Sequence, residues 1–317
     1  MIEYSGIIEG VEKRFLTTTI VITLLAGLAI KKKSLNRSGV VAAIVVGTLT
    51  CLCGWTFAIA LLAFYQSSSS LTKYKSSIKK KIEGDAFQKG GQRNYIQVFS
   101  NSLTATIVSV IYFIYSSDRR NIPIPDTAYP FECFLIGMII GHYGCCNGDT
   151  WASELGILNK GQPRLITTLK YVPPGTNGGV SRLGLIASVL GGTFIGLVYF
   201  IASWFFNDNP IAYQLANPQY PIILLGTFAG LFGSLLDSLM GATIQYSGYD
   251  IKKGVVVNHK PTTTDQYKKV DSDDPKSPNV IAHLCGLDIL DNHQVNFLSS
   301  LITAFVCGYI SLEKREN

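Results

Sequence analysis

Asp149, Ser153 and Glu154 close an apolar run in GDTWASELGILNKGQPRLITTLKYVPPGTNGGVSRLG, which spans Gly148 to Gly184 and also holds a basic loop, a Pro-Pro-Gly turn and an Asn-Gly-Gly turn. An acid at a membrane boundary is costly unless it binds something. If the helix continues through this string, Asp149 and Ser153 are i, i+4 neighbours, as are Thr150 and Glu154. One turn then offers two carboxylates and two hydroxyls. Oxygen donors of this kind suit Mg²⁺, which keeps several waters and takes one or two carboxylates together with substrate phosphates. The competing reading is a helix end whose acids meet water or pair with Lys160 and Arg164.

Asp237 is a second signal, deep inside the apolar stretch GLFGSLLDSLMGATIQ. Gly230, Gly233, Ser234, Ser238 and Gly241 make a small-residue face that suits helix packing, but an unpaired charge at that depth costs at least about 2.5 kcal/mol and needs a cation, a metal or a polar cavity. Two isolated acids would need two separate partners, so Asp149 and Asp237 are expected to lie together and share a metal ion, despite their separation in sequence.

Groups suited to phosphate come from two further stretches. Ser67 to Asn101, SSSSLTKYKSSIKKKIEGDAFQKGGQRNYIQVFSN, clusters Lys73, Lys75, Lys79, Lys80, Lys81, Lys89 and Arg93 beside hydroxyls and Gly90-Gly91. Gly-rich backbone with nearby cations can cradle phosphate, although no Walker A string and no G-x-G-x-x-G after a strand occurs. Lys79, Lys80 and Lys81 read as positive-inside lysines that touch anionic lipid, whereas Arg93, Asn94, Gln97 and Asn101 enter the next apolar run as polar groups. The second stretch, Pro173 to Gly179, sets turn residues including Gly175, Asn177 and Gly178 before a helix, where exposed N–H groups and the helix dipole favour an anion. A plain connector with a capped helix is the alternative.

The elements that carry these residues are hydrophobic. Of 317 residues 47% are hydrophobic and 15% charged, and the mean hydropathy is +0.27. Nearly uncharged blocks cover 15–30, 40–70, 96–115, 131–146, 183–206, 221–246 and 295–312, most of them near the roughly 20 residues that cross a bilayer. The expected architecture is all-α, a polytopic membrane bundle of about six to seven spans forming a single integral membrane domain over 1–317. The 40–70 block is too long for one crossing and is expected to break near Gly54 into a hairpin. The hairpin puts 21 of the 27 Lys and Arg on one side. Either treatment of that block leaves the loops near 73–93, 158–182 and 248–293 on a shared face, which the positive-inside rule makes cytosolic.

The net charge of +6 therefore speaks of orientation and anionic head groups and not of nucleic acid. Glu3, Glu9 and Glu12 replace the positive start of a cleavable signal, so the first span reads as an anchor. The seven cysteines form no zinc spacing with the four histidines and read as small apolar side chains. The loop from Val257 to Asn279, ending in VDSDDPKSPN, is polar and Pro-punctuated. No internal or inverted repeat is visible.

The strings FYQSSSSLTKYK, GGQRNYIQVFSN, NGDTWASELG, PPGTNGGVSRLG and GSLLDSLMGATIQ, in this order among hydrophobic spans, resemble the integral-membrane family that contains animal transmembrane protein 19 and plant phytyl-phosphate kinase. The resemblance runs from about Leu35 to Tyr309, and Gly286, Asp291, Asn292 and Asn296 of DDPKSPNVIAHLCGLDILDNHQVNFLSS add to it. It implies a multi-span fold related to the CTP-dependent polyprenol and phytol kinases. It also implies transfer of a phosphoryl group to an isoprenyl monophosphate, and carries function over to Lys73, Arg93, Asn94, Asp149, Glu154, Asn177 and Asp237. The N-terminus has no transit-like segment rich in Arg and Ser, so the endoplasmic reticulum or another endomembrane is expected.

In the combined expectation Asp149, Glu154 and Asp237 hold Mg²⁺ or orient the attacking phosphate. Lys73, Arg93 and the 175–179 turn hold phosphates of CTP or ATP and of the lipid, and the isoprenoid tail lies between spans. An ion-coupled transporter and a non-catalytic lipid-binding protein are the competing classes; the oligomeric state is left open.

Overall fold

The structure is a computed structural model that describes residues 4–83, 92–116, 129–206, 219–260 and 281–312. The expectations for Lys89, Gly90-Gly91 and VDSDDPKSPN lie outside the described residues.

The molecule is a helical membrane bundle. Helix α1 (Tyr4–Lys31) precedes the long apolar block, which breaks as the sequence predicts into α2 (Arg37–Cys53) and α3 (Trp55–Lys73), with Gly54 extended between them. Glycine is among the weakest helix formers, so the chain opens there at least cost. The Ser34 and Tyr65 hydroxyls lie 2.5 Å apart, so α3 runs back along α2 as a hairpin. After α4 (Ser76–Glu83) the block expected over 96–115 is divided into α5 (Tyr95–Ser100) and α6 (Leu103–Ser116). The break falls at Asn101 and Ser102, residue types that bond to nearby backbone and compete with the helix ladder; the Ser102 hydroxyl donates to the Val98 carbonyl at 2.6 Å.

Helix α7 (Pro130–Gly156) is the hub. It packs against α3, α6, α8 (Arg182–Phe205), α9 (Pro221–Ile244) and α10 (Asn292–Ile310), and from Glu132 to Gly148 it is buried almost all round. Its glycines permit this. A Cβ on Gly148 would stand 2.5 Å from the Gly230 Cα of α9, and one on Gly141 would stand 2.6 Å from the Cys307 Cβ of α10. Helices α8 and α9 meet in the same manner, since a Cβ on Gly192 would lie 2.2 Å from the Gly226 carbonyl oxygen. Without a hydrophobic drive between helices in lipid, such close approach supplies the packing energy. Gly192→Val should therefore push α8 off α9 and cost about 1–3 kcal/mol by overpacking, read as a lower unfolding midpoint in detergent.

The opposite faces are apolar and open. Leu16, Ile20 and Leu24 of α1, Ile186 and Leu190 of α8, Leu224 of α9 and Phe305 of α10 are all exposed, as suits helices whose solvent is lipid. Among the described residues, Arg14–Lys31, Arg182–Phe205 and Pro221–Ile244 are long and apolar enough to cross a membrane singly, with shorter apolar helices at α2 and α6. All seven cysteines are buried and unbridged.

The polar connections gather at one end. The two-residue strands β1 (Arg164–Leu165) and β2 (Gly179–Val180) pair, and β3 (Ser247–Asp250) pairs antiparallel with β4 (Val255–Val257) and β5 (Ile281–Cys285). Asn177 donates from its side chain to the Tyr246 carbonyl at 2.9 Å, and α4 touches β4. The described parts of the three basic loops thus contact one another. If that end is cytosolic, acceptor sites for N-glycans inserted in each of the three loops should all stay unmodified, and a glycan on any one of them in a functional protein would break the assignment.

Candidate functional site: a two-carboxylate cleft

Between α7, α8, α9 and the start of α10 lies a cleft of about 1340 Å³, counting its open mouth. Asp149, Thr150 and Ser153 face it from α7. Ser234, Asp237 and Ser238 face it from α9, and Asn292 and Asn296 from α10. The 174–179 turn and the first turn of α8 complete the wall. The expected meeting of Asp149 and Asp237 is present: both line this cleft and each carboxylate lies in the electrostatic field of the other.

Each acid is held by hydroxyls or amides. Ser234 Oγ donates to Asp149 Oδ1 at 3.3 Å, and Ser299 Oγ donates to Asp237 Oδ2 at 3.0 Å. With its amide oriented to satisfy both neighbours, Asn296 donates to the Asn292 carbonyl at 2.8 Å and to Asp237 Oδ2 at 3.2 Å. Among the described residues neither acid has an ion pair, and no Lys or Arg lines the cleft. Such a pair has the character of a cation site. No group of three or more His, Cys, Asp or Glu that could hold a metal ion occurs among the described residues. Two carboxylates with serine and amide oxygens, the remainder left to water or substrate, fit Mg²⁺.

The turn that the sequence offers as an anion cradle lines the cleft and spends part of its donors within the protein. Its Thr176, Asn177 and Gly179 N–H groups donate to the Pro173 carbonyl, the Ser247 hydroxyl and the Thr176 carbonyl at 3.3, 3.0 and 3.0 Å. The Asn177 carbonyl accepts from the Cys285 thiol at 3.4 Å. These three donors brace the turn, while Gly175 and Gly178 line the cleft and their N–H groups take no part in these bonds. Gly175 and Gly178 have φ of +91° and +73°, a region where side chains are strained. A Cβ on Gly178 would also lie 2.5 Å from the Ser238 carbonyl oxygen. Gly178→Ala should therefore tilt the turn away from α9 and lower both the unfolding midpoint and any ligand affinity of the cleft. The N-terminus of α8, capped by Ser181, whose hydroxyl accepts from the Gly184 N–H at 3.1 Å, also faces the cleft with its first turn, and its positive dipole end suits an anion.

Glu154, Lys73, Arg93 and Asn94 do not line the cleft. Glu154 faces α3 and α4: its Oε2 lies 2.5 Å from Lys79 Nζ and its Oε1 accepts from the Thr72 hydroxyl at 2.5 Å. Lys79 is 1% exposed, so it is no lipid-facing lysine but the buried anchor of α4; Lys80 beside it is exposed. Lys73 is exposed and donates to the Lys32 carbonyl at 3.1 Å. Arg93 donates to Ser69 Oγ at 3.0 Å. Asn94 caps α5, its Oδ1 accepting from the Gln97 N–H at 3.0 Å while Gln97 Oε1 accepts from the Asn94 N–H at 3.1 Å. Ser153, Ser234, Asn258, Asn292, Asn296 and Ser299 surround the carboxylates. In the sequence Ser153 stands out as a hydroxyl one turn from Asp149, Ser234 as part of a packing face, and Asn292 and Asn296 only through the family strings, whereas Asn258 and Ser299 carry no such signal.

Fold and cleft together define a helical integral membrane protein with a two-carboxylate site at one end of the bundle. The chain belongs to the integral membrane protein DUF92 family, whose profile matches residues 20–304. It is 40% identical over 299 residues to Protein PGR of Arabidopsis thaliana, covering 94% of this chain and 96% of that one. It is 29% identical over 236 residues to an uncharacterized membrane protein of Methanocaldococcus jannaschii, covering 74% and 85%. It is also 27% identical over 213 residues to Protein VTE6, chloroplastic, of Arabidopsis thaliana, covering 67% and 56%. No solved structure matches.

Proposed function

We propose that the protein is a membrane-embedded phosphotransferase that moves a phosphoryl group from CTP or ATP to an isoprenyl monophosphate, with Mg²⁺ held by Asp149 and Asp237. The observation that carries this reading is the pairing of two carboxylates, free of ion pairs among the described residues, in a polar cleft at the end of an apolar bundle. A bound Mg²⁺ would supply positive charge to phosphoryl oxygens in a cleft whose described residues include no Lys or Arg.

The residues of the chain have definable tasks. Ser234, Asn296 and Ser299 fix the carboxylates, and the start of α8 offers a positive dipole end to a phosphate. An acceptor monophosphate provides its own nucleophile: its oxygen forms the new P–O bond to the γ-phosphorus, the bond to the β-phosphate oxygen breaks, and the nucleoside diphosphate leaves. Such a reaction needs positioning and charge neutralisation more than a protein nucleophile. Glu154 and Arg93 are outside this arrangement. The membrane is an endomembrane or, in line with the chloroplastic label of one relative, a plastid membrane.

The same uncompensated acids support a second reading, an ion-coupled carrier. One experiment separates them: purified protein in nanodiscs with radiolabelled CTP or ATP and a panel of isoprenyl phosphates. Label recovered in an isoprenyl diphosphate, abolished by EDTA and restored by Mg²⁺, is the expected result. No label from either nucleotide, with solute uptake into liposomes that depends on Asp149 and Asp237, would decide for the carrier.

A further inference from the structure

A second cavity, of about 1060 Å³ with its mouth, lies between α1, α2, α3 and α5 and shares no residue with the two-carboxylate cleft. Ile22 and Leu25, Val46, and Ile59 and Leu62 give it apolar walls from α1, α2 and α3. Tyr65, Arg93, Gln97 and Asn101 are polar groups in its lining, with Arg93 beside Leu35 just before α2. The reaction proposed above uses none of these groups.

Arg93 is fixed there by its backbone. Its N–H donates to the Ser34 carbonyl at 3.1 Å and its carbonyl accepts from the Asn36 N–H at 3.0 Å. Its guanidinium lies 5.9 Å from the centre of the Tyr65 ring. Glu154 is within electrostatic reach, but that carboxylate is already paired with Lys79, so two cations share one anion and a positive charge remains. Lys31, Lys32, Lys33, Arg37 and Lys73 are exposed beside Ser34 and add to it. An apolar slot with a held cation in its lining and a basic rim complements a molecule made of a hydrocarbon chain and an anionic phosphate.

We propose that this cavity holds one acyl chain of an anionic phospholipid, with its phosphate on Arg93 and its head group among the lysines of 31–33. Glu154, the α7 residue whose charge reaches Arg93, lies five residues after Asp149, roughly 140° round the helix. A phosphate on Arg93 is therefore on a different side of α7 from the carboxylates, and the lipid is a resident one and not a reactant.

Native mass spectrometry of the full-length protein in detergent, with phosphatidylglycerol and phosphatidylcholine supplied together, tests this. The wild type should retain phosphatidylglycerol preferentially. Arg93→Gln should lower retention of both lipids about tenfold, the scale of one charge-assisted phosphate contact, because both carry that phosphate, whereas Lys32→Gln combined with Lys33→Gln should remove the preference for phosphatidylglycerol over the cationic choline lipid. Ala43→Phe, which fills the cavity from α2, should lower retention of both lipids. Equal retention of the two lipids by the wild type overturns the proposal. So does unchanged phosphatidylglycerol retention in Ala43→Phe, which decides the matter alone if Arg93→Gln does not fold. Loss of the bound lipid to millimolar inorganic phosphate would make Arg93 a free-anion site and overturn it as well.

Discussion

Asp149→Asn is expected to lower phosphoryl transfer by about 10²–10³-fold, the scale on which loss of one preorganised electrostatic group is felt in a transition state. The amide keeps the shape and can still accept from Ser234, while the charge that would hold Mg²⁺ is gone. Asp237→Asn should do the same, and the double variant should be little worse than either single one, since the two groups act on one ion. Stability should move the other way. An uncompensated acid among apolar helices is a cost of about 2.5 kcal/mol, so each variant should unfold at an unchanged or higher temperature. Activity lost together with a lower midpoint would mean that the carboxylate braces α7 against α9 and does not bind a cation.

The second large effect concerns Glu154 and Lys79. Removing one partner of a buried ion pair leaves the other charge stranded at a cost of about 3–5 kcal/mol, whereas replacing both with apolar groups of similar size is often neutral. Glu154→Ala should therefore destabilise strongly, and Lys79→Met combined with Glu154→Leu should recover most of the loss. Thermal unfolding of the two variants beside the wild type measures this. If Glu154 belonged instead to the reacting groups, Glu154→Ala would lose turnover at an unaltered midpoint, and Lys79→Met would not rescue it.

The outline of the bundle was legible because apolar runs in lipid admit few structures. The ends of α8, α9 and α10 fall within a few residues of their hydrophobic blocks, while α7 starts with its block but runs ten residues past it to Gly156, and the Gly54 hairpin follows from length and charge. Asp149 and Asp237 were legible for the same reason, since each stands alone among uncharged neighbours. Glu154 was grouped with Asp149 because the two are close in sequence. The helix separates them by azimuth, and Thr72 and Lys79 of other elements complete the assignment. Arg93 and Asn94 were chosen as polar residues entering a span, yet Asn94 is consumed by the α5 cap. In the turn at 173–179 the Thr176, Asn177 and Gly179 donors are spent on Pro173, Ser247 and Thr176, acceptors set by backbone geometry that composition does not report.

The position of α7 in the bundle also governs the order in which the protein can be completed. During synthesis its buried run, with Glu132, His142 and Asn147 among the apolar residues, enters the bilayer before α8, α9 and α10 exist. Its glycine face stays open until Cys307 and Ser311, near the end of the described chain, arrive to close it. The central helix must therefore wait in the company of lipid or of the insertion machinery, and the last helix acts as the seal. A nascent chain halted within α10 should be recognised as unfinished by membrane quality control, even though every residue of the two-carboxylate pair has already been made.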